Sequence, residues 1–367
     1  MRVLVVNMGS SSLKLSALDG DRTRWSENLP SVQGPVQEHA VRQAIARGGA
    51  IDAVGHRVVH GGSAFVESVR IDDDVLRRMR ALSDLAPLHQ PKSLRALELV
   101  SWLLPETPAV ACFDTAFHAR LPPAASTYAL PPEWRKRWDL RRYGFHGLSH
   151  AYVSARTAEL IGRPRNELRI VSCHLGAGAS LAAVQGGVSV DTTMGFTPLE
   201  GLVMATRSGS VDPGLLLWLE EHVGMPPSEL ASTLEYRSGL LGLAGTADMK
   251  GVLEAEGAGD PKARLAVNVY LHRLRGGIAA MAAAMDGTDA LVFTGGVGER
   301  SAEIRSRAAA MLGFLGVSID PASNANAKPD AEVGHADARV RTFVIKARED
   351  VQIARDVRRL LGEEARA

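Results

Sequence analysis

Met1-Arg-Val-Leu-Val-Val-Asn7-Met-Gly9-Ser10-Ser11-Ser12-Leu13-Lys14 opens the chain, and the rest is read outward from it. Met1 to Val6 is a short apolar run with three valines and a leucine, the pattern of a buried strand. Asn7 to Ser12 reads as a tight turn, and Leu13 to Leu18 resumes an apolar strand. Gly9 can take backbone angles closed to other residues. Ser10, Ser11 and Ser12 offer hydroxyl and N–H donors, and Lys14 adds a cation. A strand, a Gly/Ser turn with a lysine and a returning strand make a cradle for phosphate, built from oriented N–H groups and one charge. The Gly-Lys-Ser/Thr ending and following helix of a P-loop are missing. An ordinary N-terminal hairpin fits the same residues, so this stretch alone leaves both readings open.

The pattern returns in the second half. Leu168 to Cys173 reads as a strand, His174-Leu175-Gly176-Ala177-Gly178-Ala179-Ser180 as a Gly-rich turn, and Leu181 to Val184 as the returning strand. Gly186-Gly187 then makes a hairpin into Val188 to Asp191. Two matched cradles, one in each half, point to an internal duplication and favour phosphate binding over chance hairpins. A third strand, Ala290 to Phe293, runs into Thr294-Gly295-Gly296-Val297-Gly298-Glu299 and a helix. Glycines there let a flat base or ribose approach the backbone, although a helix-entry turn explains them as well.

Between these landmarks, helical spacing predicts Val36–Arg47, Asp72–Asp84 and Lys92–Leu104 as helices. Ile51–His60 and Ala109–Phe113 read as strands, the latter ending at Asp114. Ala86 to Pro91 is a proline-bracketed turn. Pro122, Pro123, Pro131 and Pro132 suit a crossing between domains. Ser149 is the expected N-cap of a helix to Ile161. Pro261–Met285 is a long helical stretch with an expected kink at Gly276-Gly277. Val340–Lys346 reads as a late strand and Glu349–Leu361 as a closing amphipathic helix.

With 367 residues the chain favours two domains. Its formal net charge of +1 gives no basic field for nucleic acid or anionic lipid. Cys112 and Cys173 each lie in an apolar run, the setting of buried free thiols rather than a disulfide. Met1 leads straight into a strand without a basic n-region or cleavage site, and the apolar stretch Ile278–Met285 is too short to span a bilayer. A cytoplasmic protein is expected.

Arg57, ahead of His60-Gly61-Gly62, and Arg207, ahead of Ser208-Gly209-Ser210, suit a planar oxyanion or a transferring phosphoryl group. Surface ion pairs are the plain alternative. Asp114 can hold a metal, position a substrate or act as a base, or simply cap the next turn. His146 and His89 sit among apolar residues, where single histidines are commonly structural. Glu349-Asp350 opens the last helix, where acidic residues serve the helix dipole in any case; Mg²⁺ would need one or two such carboxylates and waters.

Together the blocks Asn7–Lys14, Arg57-Val-Val-His-Gly-Gly62, Phe113-Asp-Thr-Ala-Phe-His118, Arg142-Tyr-Gly-Phe-His-Gly147, Cys173-His-Leu-Gly176, Asp191-Thr-Thr-Met-Gly195, Thr206-Arg207, Thr294–Glu299 and Glu349 resemble the acetokinase family, in its order and along nearly the whole chain. The resemblance implies an α/β fold of two duplicated ribonuclease-H-like domains, of the acetate and sugar kinase/Hsp70/actin type, around a central nucleotide cleft. Residues 1–116 with 351–367 would form the acyl and phosphate-side domain, closed by the C-terminal helix. Residues 117–350 would form the nucleotide-binding and dimerisation domain. It further implies a homodimer and the reaction ATP + acetate ⇌ ADP + acetyl phosphate, with Mg²⁺ or Mn²⁺ in its place.

Position by position, the resemblance implies that Asp114, Arg57, Arg207 and His146 are catalytic, with His146 and Arg207 stabilising the moving phosphoryl group. Arg57, Val59, Leu88, Phe145 and Pro198 would bind the acid. Ser12, Lys14, His174, Leu175, Gly176, Ala177, Gly178, Asp248, Met249, Lys250, Gly295, Gly296, Val297 and Gly298 would bind the nucleotide and its phosphates. Asn7 and Glu349 would serve the metal. The chain departs from the family at Ala177 and Ala179, where the turn carries asparagine and often serine. It departs also at Met249, Lys250 and Arg300, which replace Phe, Arg and Asn, and the Asp19–Arg57 stretch is short. A propionate or butyrate kinase, a relative using another phosphoryl donor, and a non-catalytic ATP-binding module of the same fold remain the rival readings. Apolar Val59, Leu88 and Phe145 argue against a polyol site.

Overall fold

The computed structural model describes residues 1–9, 12–30, 35–83 and 90–364. Contacts divide the chain into two units. Unit 1 is Met1–Ala119, Phe145–Tyr152 and Arg348–Ala367; unit 2 is Arg120–Gly144 and Val153–Ala347. The reading from sequence put the crossings at 116/117 and 350/351. Phe145–Tyr152 groups with unit 1 because Phe145 accepts a hydrogen bond from His118 and Gly147 N–H donates to the Asp114 carbonyl.

In unit 1, β1 (Arg2–Met8), β2 (Ser12–Asp19) and β3 (Arg22–Pro30) form an antiparallel meander. β4 (Ala53–Val58) lies parallel to β1, β6 (Ala109–Phe113) lies parallel to β4, and the short β5 (Val69–Arg70) edges the sheet. The order is β3-β2-β1-β4-β6-β5. Val3 to Val6 are all buried because β1 is covered on both faces, which is why the run does not alternate. One core gathers Leu4, Val6, Leu13 and Leu15 with Val41, Ala44 and Ile45 of the helix Pro35–Arg47. Each of the valine, leucine and isoleucine side chains among them contributes about 1.5–3 kcal/mol by leaving water.

The closing helix Glu349–Glu364 packs on the sheet at Gly55. A Cβ there would lie 2.5 Å from Ile353 Cγ2 and 2.8 Å from Val357 Cγ2. Only glycine permits this approach, so Gly55→Ala would push the helix away. Gly55 and Arg57 share a face of β4, and the same contact therefore brings Glu349 to Arg57.

Unit 2 repeats the plan. β7 (Arg169–Leu175), β8 (Ala179–Gln185) and β9 (Val188–Thr192) form the meander; β10 (Ala290–Thr294) and β12 (Arg341–Val344) run parallel to β7, and β11 (Ala331–Glu332) is the edge. The order β11-β12-β10-β7-β8-β9 corresponds to β5-β6-β4-β1-β2-β3 of unit 1. The fold is thus α/β with two similar domains, and the expected duplication is present. The helix Pro261–Ala283 continues through Gly276-Gly277, and a Cβ at Gly277 would lie 2.7 Å from Leu181 Cδ1.

Other expectations shift. Ser149 is not an N-cap: the helix Gly147–Ile161 has already begun there, and Ser149 is fully buried. The second turn narrows to Gly176–Gly178, since pairing continues through His174 with Ser180 and Leu175 with Ala179. Gly295, Gly296 and Gly298 lie inside the helix Gly295–Arg300 and not in a loop before it. Cys112 and Cys173 are buried and free. Among the described residues no helix is long and apolar enough to cross a membrane.

Candidate active site

Parallel pairing of β1, β4 and β6 puts their carboxyl ends on one edge of sheet 1, the edge where open α/β sheets bind ligands. Asn7, Arg57 and Asp114 emerge there, and Glu349 joins them from the start of the closing helix. Arg57 Nη2 donates to Asp114 Oδ2 at 2.6 Å and Nε donates to Oδ1 at 3.1 Å. Its Nη1 donates to Asn7 Oδ1 at 3.1 Å and lies 3.6 Å from Glu349 Oε2. Asn7 Nδ2 donates to the same Glu349 oxygen at 2.9 Å. Burial opposes the Arg57 charge, but the carboxylates of Asp114 and Glu349 outweigh it and hold the guanidinium above its ordinary pKa. Asp114 is only 1% exposed.

Around this cluster, Lys14 stands on β2 directly opposite Asn7 and is exposed. Ser12 begins β2, and its carbonyl accepts the Gly9 N–H at 2.8 Å. Ser10 and Ser11, the tip of the opening turn, lie outside the described residues, as do Leu88 and His89. Val59 is half-buried just past β4. Phe145 is buried with its ring edge-on to His60 at 5.4 Å. His146 follows with φ of 57°, a left-handed conformation uncommon for histidine and costing about 1 kcal/mol or more. Such strain at a half-buried histidine marks a functional candidate.

Unit 2 assembles a second set. The turn closes with Gly176 N–H donating to Gly178 O at 3.0 Å, and it leaves Ala177 exposed between the glycines. Leu175 is fully buried beneath it, while His174 is half-buried. Gly295, at φ 78°, abuts this turn: a Cβ there would lie 2.8 Å from the Leu175 carbonyl oxygen. Asp248 caps the helix Met249–Gly257, accepting the Lys250 and Gly251 N–H groups. A cavity of about 510 Å³ is lined by Asp248, Met249, Lys250, Gly296, Val297 and Arg300. The Arg300 guanidinium lies over Gly296, its Nη2 2.8 Å from where a Cβ would stand. Gly298 is buried behind.

Arg207 stands on a loop tied to the Gly176–Gly178 turn, where Ala205 N–H donates to the Ala177 carbonyl at 3.1 Å. Its Nε donates to Glu235 Oε1 at 2.7 Å, and its Nη1 donates to the Pro198 carbonyl at 3.3 Å. Pro198 and Arg207 thus come together.

Two supporting residues, Glu235 and Arg305, are not visible in the sequence, and a third, Glu299, closes the glycine block quoted above. Glu235, in the last turn of the helix Pro227–Tyr236, holds Arg207. Arg305 is 2% exposed and braces the glycine helix, donating from Nη1 to the Gly298 and Glu299 carbonyls at 2.9 and 3.0 Å. Glu299 Oε1 accepts the Ala347 N–H at 2.8 Å and the Gly295 N–H at 3.2 Å. No sequence signal distinguishes Glu235 and Arg305 from solvent-facing charged residues. Among the described residues no group of three or more His, Cys, Asp or Glu gathers as a ready metal cage. Mg²⁺ held with phosphates and waters needs only one or two carboxylates, so the Asn7–Glu349 pair fits it.

The model of the acetokinase family matches residues 27–355. The acetate kinase of Dictyoglomus turgidum is 42% identical over 99% of this chain and 98% of its own. The crystal structure of Porphyromonas gingivalis acetate kinase superposes with a TM-score of 0.90 at 35% identity, covering 98% of this chain and 99% of that one. A propionate kinase structure from Francisella tularensis gives 0.89 at 34%, covering 97% and 98%.

Proposed function

The chain belongs to the acetokinase family, and from that premise we propose how its residues carry the reaction. The protein is an ATP:acetate phosphotransferase, moving the γ-phosphoryl group reversibly between ATP and acetate. The observation that carries the site reading is the fork of Arg57 on buried Asp114.

Acetate is already a carboxylate at neutral pH, so its attack on phosphorus needs no base. It needs alignment, and positive charge on the phosphoryl oxygens. Asp114 fits an orienting role, because both its oxygens are engaged by Arg57. Arg57 then meets the acid, and Val59 and Phe145 of the same unit wall its methyl group. His146 and Arg207 stabilise the phosphoryl group in transfer. Ser12, Lys14 and His174–Gly178 take the phosphates. Asp248–Lys250 and Gly295–Gly298 take base and ribose, a role the cavity they share supports. Unit 1 is thus the acyl side and unit 2 the nucleotide side.

Mg²⁺, or Mn²⁺, when bound neutralises charge on the donor's phosphate oxygens. Glu349 is the carboxylate that would hold it, and Asn7 orients Glu349 through its amide.

We assign a homodimer as well. The helix Pro213–Val223 has no buried residue, and Leu217 and Trp218 are 57% and 52% exposed. A second copy is the occupant that suits so apolar a helix. Two free buried thiols and the use of ATP fit a cytoplasmic setting.

A hydroxamate assay tests the reading, with ATP, GTP and pyrophosphate against acetate, propionate and butyrate. Acetate with ATP should be fastest. Absence of acyl hydroxamate with every pair would rule out a kinase of this class.

A further inference from the structure

The loop that carries Arg207 is tied on both sides to the segment after it. Thr206 Oγ1 donates to the Glu235 carbonyl at 2.8 Å. Ser208 N–H donates to Leu234 O at 3.0 Å, and Ser238 N–H donates to Thr206 O at 2.9 Å. Leu240 and Leu241 N–H donate to the Met204 and Ala205 carbonyls, each at 2.9 Å. The backbone on which Arg207 stands is therefore fixed. The side chain's own rotatable bonds remain, and they would let the planar guanidinium swing.

Glu235 removes that freedom. Its side chain is 10% exposed and Arg207's is 16%. Its Oε1 takes the Arg207 Nε–H at 2.7 Å. A hydrogen bond at Nε sets the plane of the guanidinium and directs the Nη edge away from the partner. A carboxylate this buried is retained only with a cation beside it. Unit 1 shows the same device: the Nε of Arg57 also faces a buried carboxylate, that of Asp114.

We propose that Glu235 is a positioning residue for phosphoryl transfer, acting through Arg207 as Asp114 acts through Arg57. This rests on the role given above to Arg207. What Glu235 supplies is reach: an acceptor oxygen at the correct place for Nε. Charge at Glu235 is secondary, since a carboxylate lowers the positive field that Arg207 offers to an anion.

The experiment compares Glu235→Gln, Glu235→Asp and Glu235→Ala in the acetate and ATP assay, with melting temperatures, and repeats Glu235→Ala in an Arg207→Ala background. Gln keeps the oxygen in place, so kcat should stay within about threefold of wild type. Asp keeps the charge but withdraws the oxygen by one methylene, so kcat should fall at least tenfold, as it should in Ala, with KM for ATP changing less than kcat. In the Arg207→Ala background the Ala substitution should cost less than twofold more. If Glu235→Ala fails to fold, the Gln and Asp order still decides. Asp retaining more activity than Gln, or an additive loss in the double variant, overturns the inference. Arg207→Ala retaining activity within threefold overturns the inference and the assigned role of Arg207 together. A large loss in Arg207→Ala with a silent Glu235→Ala overturns the inference alone.

Discussion

Arg57 Nη2 lies 2.6 Å from Asp114 Oδ2 while its Nε lies 3.1 Å from Oδ1, so one guanidinium edge holds both oxygens of a buried carboxylate. The pair links catalysis to stability. Its aspartate is 1% exposed and holds the guanidinium by both carboxylate oxygens.

Arg57→Ala should lower kcat about a hundredfold or more, the usual effect of removing a charge directed at a transition state. It should also destabilise unit 1 by about 3 kcal/mol, because buried Asp114 loses the guanidinium that engages both its oxygens. Arg57→Lys should be a poor substitute, since an ammonium cannot span both oxygens. Initial rates and denaturant melts on the two variants check this. An alanine variant with near wild-type rates would remove Arg57 from the mechanism.

How much of this was legible depends on what each residue does for the fold. Asn7 and Asp114 each follow a run of apolar residues, and the end of a buried strand can be read without knowing its neighbours. The turn Gly176–Gly178 is legible for a similar reason, because glycines punctuate. β3 is not: along Arg22–Pro30 only Leu29 is buried, so the strand lacks an apolar signal. Arg305 and Glu235 are hidden in another way. Each is a charged residue on a helix, and only the fold reveals the backbone carbonyls or guanidinium brought against it. Ser149 misleads because a serine before an apolar run reads as a cap, while the helix already begins at Gly147.

Val59→Ala should shift acid preference toward propionate and butyrate. Val59 is half-buried one residue beyond β4, two positions from Arg57. One methylene in an apolar pocket is worth about 1–3 kcal/mol, or roughly 10–200-fold. The ratio of kcat/KM for butyrate over acetate is the measurement. A ratio that does not move would show that Val59 is no wall of the acid pocket.

Ala177 and Arg300 should govern nucleotide affinity in opposite directions. Ala177 is exposed at the tip of its turn. An asparagine there would add a hydrogen bond to a charged oxygen, about 1.5–3 kcal/mol. Ala177→Asn should therefore tighten ADP and lower KM for ATP without altering KM for acetate. Arg300 lines the cavity over Gly296, and Arg300→Ala should weaken ADP by about tenfold. Titration calorimetry with ADP separates the two effects. Unchanged affinity in either variant, with the fold intact, would exclude that residue from the donor site.

Stability should fall in mild acid because of two histidines in unit 1. Burial lowers the pKa of His56 from 6.5 to about 3, and that of His118 to about 4 despite the His118 Nε2–H bond to the Phe145 carbonyl. His56 Nε2 is buried with no hydrogen-bond partner among the described residues. The unfolded chain takes up protons at these residues that the folded chain refuses. Stability is thus unaffected above about pH 7 and declines as pH falls from 6.5 toward 3 for His56 and 4 for His118. At pH 5 the loss is about 2 kcal/mol for each residue. Replacing His56 by leucine removes the titrating group and strands no bond at Nε2. His56→Leu should therefore lose less melting temperature than wild type between pH 8 and pH 5, while differing little from it at pH 8. Parallel melting curves for the two proteins across that range would mean that His56 does not limit acid stability.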